Sequence, residues 1–471
     1  MFEPISGRRS FLKAIASTSA ATAIRPSAVL GQGPAGLPNI VYLHSHDSGR
    51  YLRPYGHNVP TPNLMRIAGR GILFRKMHCA APTCSASRSA LLTGQSPHAA
   101  GMNGLAHLGW KLHDYKQHIL HSLREQKGYT TVLAGLQHIA VDPKAIGFDE
   151  ILPGTHRLAA DVATHTVEFL NRAPKQPFFL DCGFFETHRD FPNPTDNADY
   201  ILPPAPLPDS SSTRIDMAGF HQSARNMDHA VGRILDALEA NGLRENTLII
   251  GTTDHGIAFP ALKANLNDGG IGVSFMMSGP GEFSKPGVCD ALLSQIDVFP
   301  TLCDYLGMTK PAWLTGRSFL PIMRGERKEV NEAIFAEVTY HAAYEPKRCV
   351  RTARYKYQRR YDGRSIYVLP NCDDGPAKSY WLREGWQKQR LLHTEELYDL
   401  VFDPAERNDL ARDPAHSETL RQMQQRMDEW MHATSDPLLH GPVPLPPGGQ
   451  SAPVNGISPK EMPTSEGQFS Y

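Results

Sequence analysis

Asn39-Ile40-Val41-Tyr42-Leu43-His44-Ser45-His46-Asp47-Ser48-Gly49 is the stretch that decides the fold. Its first five residues form an apolar run too short for a helix, and polar residues begin abruptly at His44. A strand buried on both faces reads this way, because neither side of its pleat meets water. The change to His, Ser and Asp puts polar chemistry at the strand's C-terminal end, where open α/β sheets carry their sites. Three more runs share the pattern: Thr130 to Ala134, Phe178 to Cys182, and Thr247 to Ile250, which leads into Thr252-Thr253-Asp254. Helical stretches lie between them. The clearest is Met227 to Leu238, with Val231, Ile234, Leu235 and Leu238 at helical spacing and Asn241-Gly242 as a stop. This alternation predicts an α/β fold, a mixed and mostly parallel sheet sandwiched by helices.

The chain has 471 residues, 41% apolar and 20% charged, enough for one large domain and a smaller one. Lys plus Arg equal Asp plus Glu at 48 each, so no global field favours nucleic acid or an anionic membrane. An anionic substrate would need local cations. At the N-terminus, Ser6-Gly7-Arg8-Arg9-Ser10-Phe11-Leu12-Lys13, then a weakly apolar stretch from Ala14 to Ile24, reads as a twin-arginine signal. Residues 1–35 are therefore predicted to be leader and linker, and the protein to be exported by the twin-arginine (Tat) machinery to the periplasm or beyond the cell. No later segment is apolar for long enough to span a bilayer, so the mature form is expected to lack a transmembrane anchor.

Residues 36–325 are expected to form the main domain. Past Arg324-Gly325-Glu326 the strands read as shorter and more polar, at Ala333 to Val338, Cys349 to Ala353 and Tyr355 to Arg359, with a helix within Arg407 to Met431. This predicts a smaller α+β domain over 326–440. From 441 to 471 the chain is rich in Pro, Gly and Ser, an irregular or disordered tail.

Seven cysteines, at 79, 84, 182, 289, 303, 349 and 372, form no Cys-x-x-Cys pair, which argues against a zinc knuckle. Polar clusters follow the predicted strands or open a helix. They are His44 to Gly49, Thr83-Cys84-Ser85-Ala86-Ser87-Arg88-Ser89-Ala90-Leu91-Leu92-Thr93-Gly94, Asp254-His255-Gly256 with Lys263 beyond it, and the single histidines His138 and His188. The small residues and following Ala-Leu-Leu run put Cys84 at a helix N-terminus, which favours negative charge.

Cys84-Ser85-Ala86-Ser87-Arg88 with Leu91-Leu92-Thr93-Gly94 resembles the signature of the sulfatases, in the alkaline-phosphatase superfamily. Asn39 to Asp47, Asp254-His255-Gly256, Lys263 with Gly269-Gly270, Gln295 to Leu302 and Glu396 to Leu410 resemble further landmarks in family order. Within the family the likeness is to N-sulfoglucosamine sulfohydrolases (heparan sulfamidases), through Gly101 to His107, Phe259-Pro260 with Asn265-Leu266, Glu337 to Tyr340, and Trp430 with Thr434 to Pro437.

The resemblance implies an alkaline-phosphatase-like core and hydrolysis of a sulfate ester or sulfamate, on a sulfated small molecule or glycan. It implies that a maturation enzyme oxidises Cys84 to formylglycine, a self-releasing nucleophile working on a divalent metal. By the same resemblance, Arg88 and His138 hold residue 84, His188 and Lys263 grip sulfate and protonate the leaving group, and His46, Asp47, Asp254, His255 and residue 84 bind the metal. His341 and Arg348 are candidates for a substrate carboxylate, and His44 and Arg50 for the pocket. Three positions depart from the family pattern. His46 stands where Asp is usual, which shifts metal preference from Ca²⁺ toward Mn²⁺ or Zn²⁺. Leu136 stands where a lysine is usual, removing one cation. Ala86 replaces the commoner Pro. Two rival readings stay open: a phosphonate monoester or phosphodiester hydrolase on the same scaffold, and an exported sugar-binding pseudoenzyme in which Cys84 stays a thiol.

Overall fold

A computed structural model describes residues 36–154 and 158–461; the expected twin-arginine leader lies outside the described residues. The Asn39 run forms strand β1 (Asn39–Ser45), buried at every position. The other strands are β2 (Ile72–Phe74), β3 (Met77–His78), β4 (Thr130–Gly135), β5 (Glu150–Ile151), β6 (Phe178–Gly183), β7 (Thr247–Thr253), β8 (Phe275–Ser278), β9 (Gly287–Cys289), β10 (Leu293–Ser294), β11 (Ala333–Tyr340), β12 (Tyr344–Thr352), β13 (Tyr355–Arg360) and β14 (Glu395–Asp399).

Eight strands form the main sheet in the order β5-β4-β6-β1-β7-β8-β2-β9. From β5 to β7 every pairing is parallel. Only β8 runs against its neighbours. β1 lies near the centre and alternates across the two layers: Ile40 and Tyr42 pack in one apolar cluster, Val41 and Leu43 in the other. That is the pleat expected of a strand covered on both faces. One face is covered by helices Pro62–Gly69, Ala159–Asn171 and Ser211–Ala240. The other is covered by Cys84–Thr93, Ile119–Lys127 and Val298–Leu306.

The expected Met227 to Leu238 helix belongs to the 30-residue element Ser211–Ala240, capped by Ser210, whose side chain and Thr213 form a reciprocal capping box. β11 to β14 make a separate four-stranded antiparallel sheet. Helix Ser417–Ala433 packs Met423, Met427 and Met431 into the same apolar cluster that backs the main sheet. Main-chain bonds from Glu337 to Ala80 (2.9 Å) and from Tyr340 to Asn103 (2.9 Å) join β11 to the main sheet's side. The segment expected to be an irregular or disordered tail has no strand over 441–461. It is nonetheless packed: Gln450 N–H donates to Leu108 O (3.0 Å) and Ala452 N–H to Ala342 O (2.7 Å).

Arg348 corrects one expectation. It does not face a substrate carboxylate. Its side chain is fully buried and forks onto Asp436, with Nη2 2.9 Å from Oδ1. Neighbouring β12 residues point to opposite faces, so Lys347 reaches Ala264 O (2.9 Å) while Arg348 turns inward. Removing one member of such a pair leaves an uncompensated buried charge. Asp436→Ala should therefore lower unfolding free energy by about 3–5 kcal/mol in denaturant titration. Truncating the surface pair Lys310–Asp304 (2.8 Å) should cost less than about 1 kcal/mol.

Candidate active site

The parallel register brings the polar clusters to one sheet edge. Ser45 on β1 pairs with Thr253 on β7, so His46-Asp47 and Asp254-His255 leave adjacent strands at the same level. β6 and β4 flank β1 on its other side, and their downstream loops carry His188 and His138. Asp47 turns the chain with φ of 51°, a left-handed conformation that Asp tolerates better than most residues. Its N–H and that of His255 both donate to Asp254 Oδ1, at 2.8 and 2.9 Å. This fixes the Asp254 carboxylate and leaves Oδ2 facing inward.

His46, Asp47, Cys84 and Asp254 each present a donor atom, and these all lie within 4.8 Å of one another. His46 Nδ1 is 3.2 Å from Asp47 Oδ1 and 3.1 Å from Asp254 Oδ2. His255 Nε2 is 3.2 Å from Asp47 Oδ1 and 3.3 Å from Cys84 Sγ. Its Nδ1 is 3.0 Å from Gly256 O, a contact in which Nδ1–H donates and which turns Nε2 toward Asp47 and Cys84. Cys84 is the first residue of its helix, which ends at Gly94 with φ of 68°. Leu105 and Leu108 pack directly on Cys84, and Ser85 Oγ accepts from Ala106 N–H at 3.0 Å.

Burial would raise both carboxylates, but neighbouring groups outweigh it: Lys263, then His188 and His255, hold Asp47 below the usual range, and His255 and Arg88 hold Asp254 there. Burial drives His46 well below the ordinary imidazole value, so it is neutral. Burial likewise pushes the Cys84 thiol well above its ordinary value, so an unmodified Cys84 is not a thiolate at neutral pH.

Arg88 Nη2 donates to Asp254 Oδ2 (2.9 Å) and Ser45 O (3.0 Å), while Nη1 meets His44 Nδ1. His44 Nε2 lies 2.7 Å from Asp181 Oδ1, so Arg88, His44 and Asp181 form a buried chain beneath Cys84. Lys263 Nζ is 2.8 Å from Asp47 Oδ2, 3.3 Å from His188 Nε2 and 2.8 Å from Asp373 Oδ2. Burial would lower its pKa, but Asp373 and Asp47 hold it well above the ordinary value, so it stays charged. His138 sits beside His46 with ring centroids 5.5 Å apart, and its Nε2 is 3.0 Å from His107 Nδ1. His341 is buried and near enough to feel Lys263; burial, then that charge, lower its pKa to about 3. Arg50 is taken up by Arg75 O (3.0 Å) and His78 (3.2 Å).

Cys84, Arg88, His138, His188, Lys263, His46, Asp47, Asp254 and His255 thus converge, His341 lies alongside, and Arg348 does not join them. Asp373 was missed by sequence reading. It comes from the antiparallel half of the chain, with no strand end or motif to single it out. His107 was visible only inside the Gly101 to His107 stretch.

Residues 38–308 match the Sulfatase family model, and residues 263–382 match the model for the C-terminal region of N-sulphoglucosamine sulphohydrolase. The chain is 27% identical over 475 aligned residues to human N-sulphoglucosamine sulphohydrolase, covering 88% of this chain and 94% of that one. It is 25% identical to the Delta 4,5-hexuronate-2-O-sulfatase of Bacteroides thetaiotaomicron, covering 85% and 90%. The fold also matches a structure solved in complex with its substrate D-glucosamine-2-N,6-O-disulfate, with a TM-score of 0.66, 18% identity, and 86% and 99% of the two chains covered. With a single family model spanning more than half of its length, this protein belongs to the sulfatase family of sulfuric ester hydrolases.

Proposed function

We propose that the protein hydrolyses a sulfate ester or sulfamate on a sulfated carbohydrate, using a formylglycine made from Cys84 and a divalent metal ion. The observation that carries this is the convergence of Cys84 Sγ with the His46, Asp47 and Asp254 donor atoms inside 4.8 Å. The carbohydrate part draws on relatives named for sugar sulfates. The twin-arginine reading adds export to the proposal.

The residues present fit a cation. Asp47, Asp254 and Asp373 are buried or nearly so, and among the described residues they face two permanent cations, Arg88 and Lys263, with a neutral His46 among them. His46 Nδ1, Asp47 Oδ1, Asp254 Oδ2 and His255 Nε2 would hold the metal next to residue 84. When bound, metal and formylglycine together supply a Lewis acid and an oxygen nucleophile at neutral pH. Imidazole in place of one carboxylate suits Mn²⁺ or Zn²⁺ better than Ca²⁺.

The chain's own residues supply the rest. Arg88 is immobilised on Asp254, Ser45 O and His44, so it holds a fixed positive charge under residue 84. Lys263 Nζ and His188 Nε2 flank Asp47 on the cleft side, placed to bind sulfate oxygens and to pass a proton to the leaving oxygen or nitrogen. His138, backed by His107, is placed to accept a proton at residue 84.

Three outcomes are expected. Cys84→Ala should reduce turnover of 4-nitrophenyl sulfate to background with an unchanged melting temperature, and the Cys84 peptide from its own host should carry an aldehyde in place of the thiol by mass spectrometry. Wild-type rates in the Ala variant, or an intact thiol in active enzyme, would refute the proposal. Lys263→Ala should lower kcat by about 10²–10³-fold. Chelation should abolish activity and Mn²⁺ or Zn²⁺ should restore it; in His46→Asp the restoring ion should change to Ca²⁺ or Mg²⁺.

A further inference from the structure

Asp373 lies outside the main sheet, yet its Oδ2 is 2.8 Å from Lys263 Nζ. We propose that Asp373 is a specificity-determining residue: its carboxylate accepts a hydrogen bond from a hydroxyl or N–H on the carbon next to the sulfated atom, selecting sugar sulfates over aryl sulfates. This rests on the carbohydrate reading above and deepens it.

The exposure pattern shows where substrate can come from. Asp47 and Asp254 side chains are sealed, and Lys263 is 1% exposed, whereas His188 is 22% and Asp373 13% exposed. The open side of Lys263 is therefore flanked by His188 and Asp373. A group approaching Lys263 from the cleft meets both.

The segment carrying Asp373 is fixed on all sides. Lys378 Nζ donates to Cys372 O (2.6 Å), Asp374 Oδ1 (2.8 Å) and Ile457 O (2.7 Å). Asn371 accepts from Ala343 N–H at 2.7 Å. Ala377 N–H donates to Asp216 Oδ2 (3.0 Å), and that carboxylate is gripped by Arg189 at 2.7 and 2.8 Å. Arg189 lies between the rings of Phe191 and Phe259, at 4.4 and 4.7 Å. A Cβ on Gly375 would come within 2.2 Å of its Nη1, so a larger residue there would have to displace the guanidinium. Arg189 directly follows His188. One buried fixture thus sets both flanks of Lys263, which is how a recognition group is kept at a fixed geometry.

The chemistry then restricts what Asp373 can meet. An ionised carboxylate only accepts hydrogen bonds. Beside a bound sulfate it repels unless it faces donors or positive charge, and the Lys263 ammonium supplies such charge. The remaining capacity matches a donor attached near the sulfated atom. Sugars carry hydroxyls or amides on neighbouring carbons; a simple aryl sulfate has none.

The test measures kcat/KM of wild type and Asp373→Asn on a panel of monosaccharide N- and O-sulfates, on deoxy analogues of the best one that lack a neighbouring hydroxyl, and on 4-nitrophenyl sulfate. The expected result is a loss of about 10–100-fold in Asp373→Asn on the sugar, the size of a charge-assisted hydrogen bond, with 4-nitrophenyl sulfate changed less than about threefold. Wild type should lose a similar factor on one deoxy analogue, and Asp373→Asn should not tell that analogue from its parent. Equal loss on sugar and aryl substrates means that Asp373 acts through Lys263 alone and overturns the inference. So does a wild type indifferent to every deoxy analogue, a comparison that needs no folded variant. A wild type that cleaves 4-nitrophenyl sulfate but no sugar sulfate refutes the carbohydrate reading and this inference with it, while the sulfatase chemistry stands.

Discussion

Two carboxylates, Asp47 and Asp254, are buried side by side at the ends of adjacent parallel strands. Like charges so placed would not both ionise without fixed positive partners, and the cost of burying them would be several kcal/mol each. The rest of the site answers that constraint. Arg88 braces one carboxylate from below and Lys263 the other from the cleft; two backbone N–H groups lock the orientation of Asp254. The same concentration of negative charge makes the place attractive to a divalent cation and puts residue 84 at its edge.

The two halves of the chain divide the work. The main sheet supplies the donor atoms, Arg88, His138, His188 and Lys263, all from segments that follow a strand or open a helix. The antiparallel sheet and the segments around it supply Asp373 and His341, so the cleft's outer wall comes from a different part of the sequence. Arg189, Asp216 and Ala377 join the two halves next to Lys263.

Much of this was legible in the sequence, for physical reasons. β1, β4, β6 and β7 are continuous apolar runs because both their faces are covered, and the residues right after them are polar because that edge is the site. β2, β3, β5, β9 and β10 are two or three residues long and carry no periodicity to read. Arg348 was read as a candidate for a substrate carboxylate; the carboxylate it meets is Asp436, 88 positions away, and only the fold brings them together. Asp373 gave no signal, since its meaning comes entirely from tertiary contact with Lys263. The Pro- and Gly-rich stretch after 441 was read from composition, which reports lack of regular structure but not whether the chain is packed.

The account stands on a cation held between His46, Asp47, Asp254 and His255 and touching residue 84. Anomalous diffraction from crystals of the mature protein loaded with Mn²⁺ tests this directly. One strong anomalous peak among those four side chains, lost in Asp47→Asn with Asp254→Asn, is the predicted result. No peak there, or a peak elsewhere that survives the double substitution, would contradict it.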